Sequence, residues 1–600
     1  MNRAQRRADA RTHRRTARTA TALGSAAVLA SAGAGAAIVL TQSAASANAP
    51  IVVDSLTDDG SGGTTLREAI NQANTDSGQD EITFSVTGTI TLASNLPVIT
   101  DAVHITGPGA GSLTIDGGGN YAAFVFDHID AVDGSDAVTD LTVTHAVANT
   151  AYDEGTGGAV MKFYGDADLT IDGVVFTDNY APNDGGAIAL YSTTGHVVIS
   201  NSVLSNNSAA EGGGALYADG GSAPDSGLVI TITGTSITGN NAYYNGGGLY
   251  IEDAVATIAD STITDNHTTS RDSNGGGVYA DEVDLTITGS TFSDNSAIYN
   301  GGGLYAADST VHVAYSTFSD NVAYGGAGIT SRGTTSLTIA NSTISGNRSY
   351  HYGGGLYLRG SGGTQIVNST ISGNTALQAG GIYVGDAAGL AMAASTVTGN
   401  HAGVDPGGVP AAPRELPAVD GIQVGGGAVV PAERRTHRED RVGARDAGEG
   451  HHARSARPAD DPIPAGTIEL IGTIVAGNGT LDLSSIHLEQ VTVESLGSIL
   501  GTVRAATVTV NDHGGTQTGV TTAALALGPL ADNGGPTPTH ALLPGSVAID
   551  AGPAATDLPS FDGSGYDQRG EPYARIANGR VDVGAFEVQV ESPPEPTFTG

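Results

Sequence analysis

The chain has 600 residues, of which 88 are glycine and none is cysteine, and its formal net charge at pH 7 is −37. The missing cysteines exclude a disulfide framework and thiolate metal sites. The strong negative charge argues against binding to nucleic acid or to an anionic membrane. Such an acidic surface would hold divalent cations such as Ca²⁺ weakly, and no resident cofactor is expected.

Residues 1–49 have the order of a secretory signal peptide. Seven arginines lie in the first 18 positions, an apolar stretch follows at 20–40, and the small residues SAASANA come next. Cleavage after Ala47 or Ala49 fits this order. The alternative is a retained membrane anchor, because a span can be as short as about 20 residues. The stretch is rich in Gly, Ala and Ser rather than Leu, which favours the signal and a secreted or cell-surface location in a bacterium.

Short phrases of the type FTDN, ITGN or FSDN divide residues 150–402 at nearly constant intervals. The successive steps are 28, 33, 26, 29, 26, 26, 27 and 26 residues. This regularity is the signature of a repeat architecture, and diverged coils are expected at 50–149. The asparagines that end the phrases are Asn179, Asn207, Asn240, Asn266, Asn295, Asn321, Asn347, Asn374 and Asn400.

The segments between these phrases have the composition of strands. Runs such as STVHVAYS and VDLTITGS alternate apolar with polar residues and are rich in Val, Ile and Thr. A repeat of about 26 residues with three strands and three turns fits one coil of a parallel β-helix. Leucine-rich repeats would need a Leu skeleton that is absent, and propeller blades need about 40 residues. The sequence therefore predicts an all-β solenoid.

A second phrase, GGGLY, recurs at 246–250, 301–305 and 353–357, with close variants in other repeats. Glycine permits positive φ and close approach of coils that stack about 4.8 Å apart. Leu and Tyr point to opposite faces of the strand, so the tyrosines form a row. An outward row could bind sugar rings, whereas a stacked ladder would stabilise the sheet. These ligand-contact candidates are Tyr217, Tyr250, Tyr279, Tyr305, Tyr357 and Tyr383.

The asparagines have a structural interpretation. Each is expected at a tight bend, in the left-handed conformation that Asn tolerates better than most residues. Stacked coils would then join them in an amide ladder.

Residues 403–466 interrupt the pattern with an irregular charged insertion. The stretch from Pro431 to Pro458 is rich in Arg and His, and IGTIVAGN then restores the repeat. A disordered surface loop is one interpretation, and a pair of compensating frameshifts is the other. No metal site is predicted, because the histidines lack a recognised ligand spacing; they are His437, His451 and His452.

The paired GGxx and FxxN phrases resemble the repeats of polymorphic outer-membrane proteins. The resemblance implies a right-handed parallel β-helix of pectin-lyase-like architecture. Residues 51–74 resemble the CSLREA segment of such proteins, with Thr64-Thr65 in place of Cys-Ser. Residues 467–590 hold further coils and, in LGPLADNGGPTPTHALLPGSVAIDAG with DQRG and DVGAFE, resemble a choice-of-anchor region. A Pro-rich tail follows at 591–600.

The resemblance also directs attention to charges beside the tyrosine row. Asp219, Glu252 and Asp281 occupy one column, which continues as Ala307, Arg332 and Arg359. Polysaccharide lyases with this fold use carboxylates and a basic residue to remove a proton beside a uronate. The catalytic candidates are therefore Asp281, Asp308, Arg332 and Arg359. Solvated turn charges are the simpler interpretation.

The expected function is non-enzymatic display, adhesion or polysaccharide binding at a cell surface. The alternative is a polysaccharide lyase or glycoside hydrolase acting on an acidic polysaccharide. No transmembrane barrel is expected at 503–600, which is short and rich in Gly and Pro. Ice binding is disfavoured because strings such as TIT do not recur in register. The pattern leaves the oligomeric state open.

Overall fold

A computed structural model of the chain describes most of the sequence. The predicted signal peptide, most of the charged insertion with its three histidines, and the Pro-rich tail lie outside the described residues. The described residues are 48–589 except 61, 77, 128–133, 148–157, 166–167, 222–226, 386–387, 404–420, 426–466, 486–490, 555–557, 559–564 and 578.

The chain winds into a right-handed parallel β-helix in which the complete coils contribute one strand to each of three long sheets, while the end coils lack some of these strands. The strands within these sheets pair in parallel with the strands of the preceding and following coils. Sheet A has 16 strands, which are Ile51–Val53, Asp80–Phe84, Val103–Thr106, Ser135–Thr139, Asp168–Asp172, Gly195–Ser200, Leu228–Thr233, Val255–Ala259, Asp284–Thr288, Thr310–Ala314, Ser336–Ala340, Thr364–Val367, Leu390–Ala393, Ile468–Ile471, Val491–Leu496 and Val508–Asp512.

Sheets B and C follow sheet A around the coil. The 14 strands of sheet B are Gly88–Thr91, Leu113–Asp116, Thr142–Thr144, Val175–Thr177, Val203–Ser205, Ser236–Thr238, Thr262–Thr264, Thr291–Ser293, Thr317–Ser319, Thr343–Ser345, Thr370–Ser372, Thr396–Thr398, Ile474–Val475 and Ile499–Leu500. The 12 strands of sheet C are Phe124–Asp127, Val160–Gly165, Ile188–Thr193, Leu216–Asp219, Leu249–Glu252, Val278–Asp281, Leu304–Ala307, Ile329–Arg332, Leu356–Leu358, Ile382–Gly385, Ile422–Gly425 and Leu483–Ser485.

Short strands between sheets B and C form two smaller sheets, here called sheet D together. Isolated bridges from His267 through Ser296 to Val322 connect the two halves. The first half comprises Tyr180–Ala181, Ser208–Ala209, Asn241–Ala242 and His267–Thr268, and the second Val322–Gly325, Arg348–Tyr352, Thr375–Ala376 and His401–Ala402.

One continuous core fills the helix from Ile51 to Val508. It consists of inward-facing aliphatic residues that stack in register from coil to coil, as parallel strands require. In sheet B, for example, Ile263 pairs with Phe292 and Phe292 with Phe318, and the two phenyl centroids are 4.4 Å apart. The regular stacking explains how a chain with few aromatic residues builds a long, dry interior.

The nine asparagines form one buried ladder. Each donates from Nδ2 to the Oδ1 of the asparagine in the next coil, across 2.7–3.0 Å, and Asn478 extends the row. The expected left-handed conformation belongs to the preceding residue instead, for example Asp265 with φ 56° and Gly239 with φ 66°. That is why the third letter of the phrase is so often Asp or Gly.

The glycines of the GGG phrase have separate roles. The first, such as Gly275, has φ 67°. A Cβ on the second, Gly276, would lie 2.6 Å from the carbonyl oxygen of Gly302 in the next coil. A Cβ on the third, Gly277, would lie 3.2 Å from the side chain of Asn295. The phrase therefore recurs because each coil must approach its neighbour closely at this turn.

Helix α1, Leu66–Ala73, covers the N-terminal end of the core. Thr65 and Glu68 form a capping box, in which the Thr65 side chain accepts from the Glu68 N–H while Glu68 accepts from the Thr65 N–H. Arg67 forms an ion pair with the buried Asp58 at 2.6 Å. Leu66 and Ile70 are buried against the first coils, so the helix shields apolar ends that a solenoid would otherwise expose.

The C-terminal region folds back on the outside of sheet B. It contains helix α2, Thr522–Leu525, and the antiparallel pair Leu527–Ala531 and Thr539–Leu542. Gln568 donates to Thr343 at 2.8 Å and accepts from Thr370 at 2.6 Å. The buried pair Arg569–Asp567, at 2.6 Å, closes the region internally. Asp582 accepts from the N–H groups of Asp550 and Val588, each at 2.7 Å.

Serine and threonine side chains of sheet B recur in register as a mixture, and the string TIT is not repeated from one strand to the next. Ser236 pairs with Thr262, Thr262 with Thr291 and Thr291 with Thr317. The turns absorb the differences in coil length, so unequal spacing in the sequence does not shift the strands. The C-terminal region covers part of this array through the contacts of Thr343 and Thr370 described above.

Candidate functional site

The candidate site lies on the outer face of sheet C, where the GGG turn delivers each strand. Leu216, Leu249, Val278 and Leu304 point into the core and are fully buried. The next residue of each strand is a tyrosine on the opposite face. Because Tyr217, Tyr250, Tyr279 and Tyr305 are directly paired across neighbouring strands, their rings stack.

Of the two alternatives for the tyrosine row, the structure shows the stacked ladder: Tyr217, Tyr279 and Tyr305 are buried and Tyr250 is half-buried. Ring centroids are 4.8 Å apart for Tyr217–Tyr250 and Tyr250–Tyr279, and 5.2 Å for Tyr279–Tyr305. Each ring covers the face of the next. The preceding turn closes over them, since a Cβ on Gly212 would lie 3.2 Å from the Tyr250 ring.

The second group of tyrosines is separate. Thr330 replaces tyrosine in the coil after Tyr305. Tyr357 and Tyr383 then pack edge to face with centroids 5.4 Å apart, and Tyr352 joins them. Tyr357 and Tyr383 are buried and Tyr352 is half-buried. All six candidates therefore have packing roles.

The tyrosine hydroxyls hold the carboxylates of the neighbouring column. Tyr250 donates to Glu252 at 3.1 Å, and Tyr279 donates to Asp281 at 3.0 Å. Glu252 and Asp281 are paired across adjacent strands, so their backbones are about 4.8 Å apart. Asp219, at the start of the column, is buried and accepts from the Gly221 N–H at 2.7 Å.

Two carboxyl groups in or beside this column have raised pKa values. Burial, with the neighbouring Glu252 carboxylate, raises the pKa of Asp281 to about 7. Burial, with repulsion from Glu282, Glu252 and Asp219, raises the pKa of Asp253 to about 8. At neutral pH Asp281 therefore exchanges between its protonated and ionised forms, which is the range in which a group can act as an acid or a base.

The arginines lie further along the same face. Arg332 is paired with Ala307, which is paired with Asp281, so the three occupy consecutive strands. Its hydrogen bond goes to the Tyr305 hydroxyl at 3.5 Å, and Tyr305 raises the pKa of Arg332. The Arg359 guanidinium carbon is 5.9 Å from the centroid of the Tyr357 ring. The tyrosines thus orient both arginines on the face.

Asp308 lies at a turn beside this group, where its charge helps to raise the pKa of Asp281. Its Oδ1 accepts from the N–H of Thr334 at 2.8 Å and from the Thr334 hydroxyl at 3.0 Å. Its own φ is 48°, so it shapes a turn between sheets C and A. Of the four catalytic candidates, Asp281 and Arg332 share the outer face of sheet C closely, and Asp308 has a structural role. Within the described ranges, no three His, Asp or Glu side chains converge in an arrangement that could hold a metal ion.

Sequence reasoning missed a row of exposed apolar side chains at the neighbouring edge. Five large residues there expose 42–51% of their surface, far more than the buried tyrosine row. The available signal was the position three residues after the ladder asparagine, as in NNAY, NVAY and NRSY, with Tyr244 one residue further on. We call this set the aromatic edge; it comprises Tyr243, Tyr244, Ile298, Tyr324 and Tyr350.

The fold and this surface define a right-handed parallel β-helix protein. The family model described as right handed beta helix region matches residues 113–348 and 223–402, which overlap in the regular repeats. The comparison with curated proteins gave no match.

Two solved structures are similar to the chain, both from Azotobacter vinelandii. The A-module of mannuronan C-5 epimerase AlgE6 is 14% identical with a TM-score of 0.33, covering 60% of this chain and 92% of that module. The A-module of AlgE4 is 12% identical with a TM-score of 0.30, covering 76% and 92%. Among the residues that the structure describes, no helix has both the length and the apolar character needed to cross a bilayer.

Proposed function

We propose that this protein is a secreted or cell-surface β-helix that binds polysaccharide along the outer face of sheet C. One observation carries the proposal: Glu252, Asp281 and Arg332 lie in one column, each held by a tyrosine hydroxyl. Over three strand steps this column is about 14 Å long. Oriented acceptors and a donor in a line suit the hydroxyl groups of an extended sugar polymer.

The wider assignment rests on the resemblances described above. Repeats like those of polymorphic outer-membrane proteins, a CSLREA-like segment and a choice-of-anchor-like region support display or adhesion at a bacterial surface. The signal-like order of residues 1–49 supports export.

Binding of polysaccharides to the full chain tests this function. Arg332→Ala removes the donor of the column, and we expect at least tenfold weaker binding to a polymer that the wild type retains. Arg580→Ala removes an exposed arginine of the C-terminal region and serves as the matched control. A wild-type protein that is folded and binds no polysaccharide contradicts the proposal.

A second candidate function is cleavage of an acidic polysaccharide, and the acidity of Asp281 favours it. A carboxyl with pKa about 7 can donate a proton at neutral pH. Glu252, paired with Asp281 on the adjacent strand, supplies a second carboxyl group beside it, and glycoside hydrolases use such a pair of carboxyl groups. A lyase would instead use a base of the same column to remove the proton beside a uronate.

Release of new reducing ends from acidic and neutral polysaccharides tests the enzyme. Activity that Asp281→Asn abolishes, while binding persists, would establish catalysis at this column. Ultraviolet absorbance of an unsaturated product would identify a lyase. Binding without product from any polymer would leave display and adhesion as the function.

A further inference from the structure

The C-terminal region, whose described residues lie between 521 and 589, contacts coils on both sides of the charged insertion. Before the insertion its contacts begin at Asn341, whose carbonyl oxygen accepts from the Thr537 hydroxyl at 3.0 Å. After the insertion they reach Ile499, in the last strand of sheet B. The strands of sheet B that it contacts are Thr343–Ser345, Thr370–Ser372, Thr396–Thr398, Ile474–Val475 and Ile499–Leu500. Four strand steps, about 19 Å, separate the first of these strands from the last.

Before the insertion, the C-terminal region is held by hydrogen bonds to outward-facing hydroxyl groups. The Thr343 hydroxyl accepts from the Gln568 amide at 2.8 Å, and the Thr370 hydroxyl donates to the Gln568 carbonyl oxygen at 2.6 Å. The Thr396 hydroxyl accepts from the Ala585 N–H at 3.0 Å. The three threonines are paired across neighbouring strands, so they form one row. All three are buried, and loss of one of these bonds would leave a buried polar group without its partner.

Further side chains fasten the C-terminal region to the same coils. Arg575 is buried and donates to the side-chain oxygen of Asn368 at 2.6 Å. Asn368 in turn donates to the carbonyl oxygen of Tyr566 at 3.1 Å. The Ser372 hydroxyl lies 2.7 Å from Nε2 of His540. These contacts come from separate parts of the C-terminal region, which is therefore attached along its length and not by one loop.

After the insertion, the same row of sheet B changes from threonine to isoleucine. Thr396 is paired with Ile474, and Ile474 is paired with Ile499. Both isoleucines lie on the outer face of the sheet, yet both are fully buried. They are buried because they share an apolar cluster with Leu525 and Val583 of the C-terminal region. Without this cover, two large apolar side chains would face water, which the hydrophobic effect opposes.

Backbone contacts bring the C-terminal region close to the turns of these later coils. The Gly584 N–H donates to the carbonyl oxygen of Gly472 at 2.8 Å. A Cβ on Gly497 would lie 2.8 Å from the backbone nitrogen of Pro553, so this turn also requires a glycine. The coils after the insertion and the C-terminal region therefore cover each other, and each protects apolar surface of the other.

We propose that the C-terminal region is a brace that fastens the coils after the insertion to the coils before it. The repeat can then carry a long interruption without separation of its last coils. At the junction, sheet B passes from Thr396–Thr398 to a strand of two residues, Ile474–Val475. So short a strand contributes few hydrogen bonds of its own, and the C-terminal region supplies contacts on both sides of it. This inference does not depend on the polysaccharide ligand.

Hydrogen–deuterium exchange of the full chain, read by mass spectrometry, tests the inference. Thr343→Val/Thr370→Val retains the shape of both side chains and removes two hydrogen-bond partners of Gln568. We expect amide exchange at least tenfold faster in the C-terminal region and, to the same degree, in the coils after the insertion. The strand Leu249–Glu252, in the regular repeats, should exchange at the wild-type rate, which shows that the variant is folded.

The same row of sheet B offers a matched control. Thr262→Val/Thr291→Val makes the same change at two exposed positions and should leave all exchange rates at the wild-type values. Faster exchange in the C-terminal region alone would overturn the inference, because the coils after the insertion would then be stable without it. Wild-type rates in both parts of Thr343→Val/Thr370→Val would also overturn it, because the threonine contacts would then fasten nothing.

Discussion

Asn400 and Asn478 are 78 residues apart in the sequence, yet the Nδ2 of Asn400 donates to the Oδ1 of Asn478 across 2.7 Å. The strands on either side continue in the same way, since Leu390 pairs with Ile468 and Thr396 with Ile474. Sheet C takes Ile422–Gly425 from within the intervening residues. The asparagine ladder and the three sheets thus continue in register from the coils before the charged insertion to the coils after it.

Most of the insertion is therefore dispensable for the helix. We expect that replacing residues 428–464 by a short Gly-Ser linker leaves the melting temperature within a few degrees of the wild-type value. Neighbouring coils connect sheets C and A with very short turns, as between Ala307 and Thr310, so a short linker can make the connection. Differential scanning calorimetry measures this, and loss of the cooperative transition would show that the insertion supports the fold.

The asparagine ladder predicts a large cost for one small substitution. Asn295→Ala removes the acceptor of two bonds from Asn266 and the donor to Asn321. Buried groups left without partners should lower the free energy of unfolding by about 3 kcal/mol. Asn241→Ala is the matched control, because Asn241 is exposed on sheet D. Urea unfolding of both variants measures the difference, and equal stabilities would contradict a structural role for the ladder.

The raised pKa of Asp281 predicts that stability falls with rising pH. Its pKa moves from an ordinary 3.8 to about 7, so the folded state binds the proton more tightly than the unfolded chain. The contribution of Asp281 to stability is therefore fully present below its ordinary pKa of 3.8 and is lost as the pH rises through about 7, by at most about 4 kcal/mol. The raised pKa of Asp253 likewise makes the free energy of unfolding fall as the pH rises.

Asp281→Asn should reduce this pH dependence. We expect a higher melting temperature than wild type at pH 8 and a smaller difference between pH 5 and pH 8. Asp284→Asn, at an exposed position on sheet A, controls for the change in net charge. An unchanged pH profile in Asp281→Asn would mean that this carboxyl titrates normally.

The GGG turn predicts which glycines tolerate a methyl group. Gly276→Ala would place its Cβ 2.6 Å from the Gly302 carbonyl oxygen and from Ser296 backbone atoms, which cannot easily move. We expect a loss of about 3 kcal/mol, at the upper end of overpacking costs. Gly111→Ala meets no atom within 4 Å and should be nearly neutral. Thermal unfolding compares them, and a well-tolerated Gly276→Ala would show that the coils can separate.

Much of the fold follows from periodicity alone. An asparagine that recurs about every 26 residues implies that these side chains stack on one another, because successive coils of a solenoid lie one strand spacing apart. The amide ladder and the inward Leu of GGGLY follow from that. The sequence also places Tyr217, Tyr250, Tyr279 and Tyr305 in one row, and Glu252, Asp281 and Arg332 in one column.

The tertiary structure decides what covers each row. Strand alternation assigns a tyrosine to the outer face and leaves a sugar platform and a packed ladder as alternatives. The turn of the preceding coil lies against the Tyr250 ring, and the row is a packed ladder. The residue three positions after the asparagine reaches the surface because sheet D bends there, and a bulge at Ser349 turns Tyr350 outwards. Burial in turn sets the acidity of Asp281. Periodicity determines which side chains are neighbours along the helix, whereas their exposure and charge state depend on contacts between different parts of successive coils.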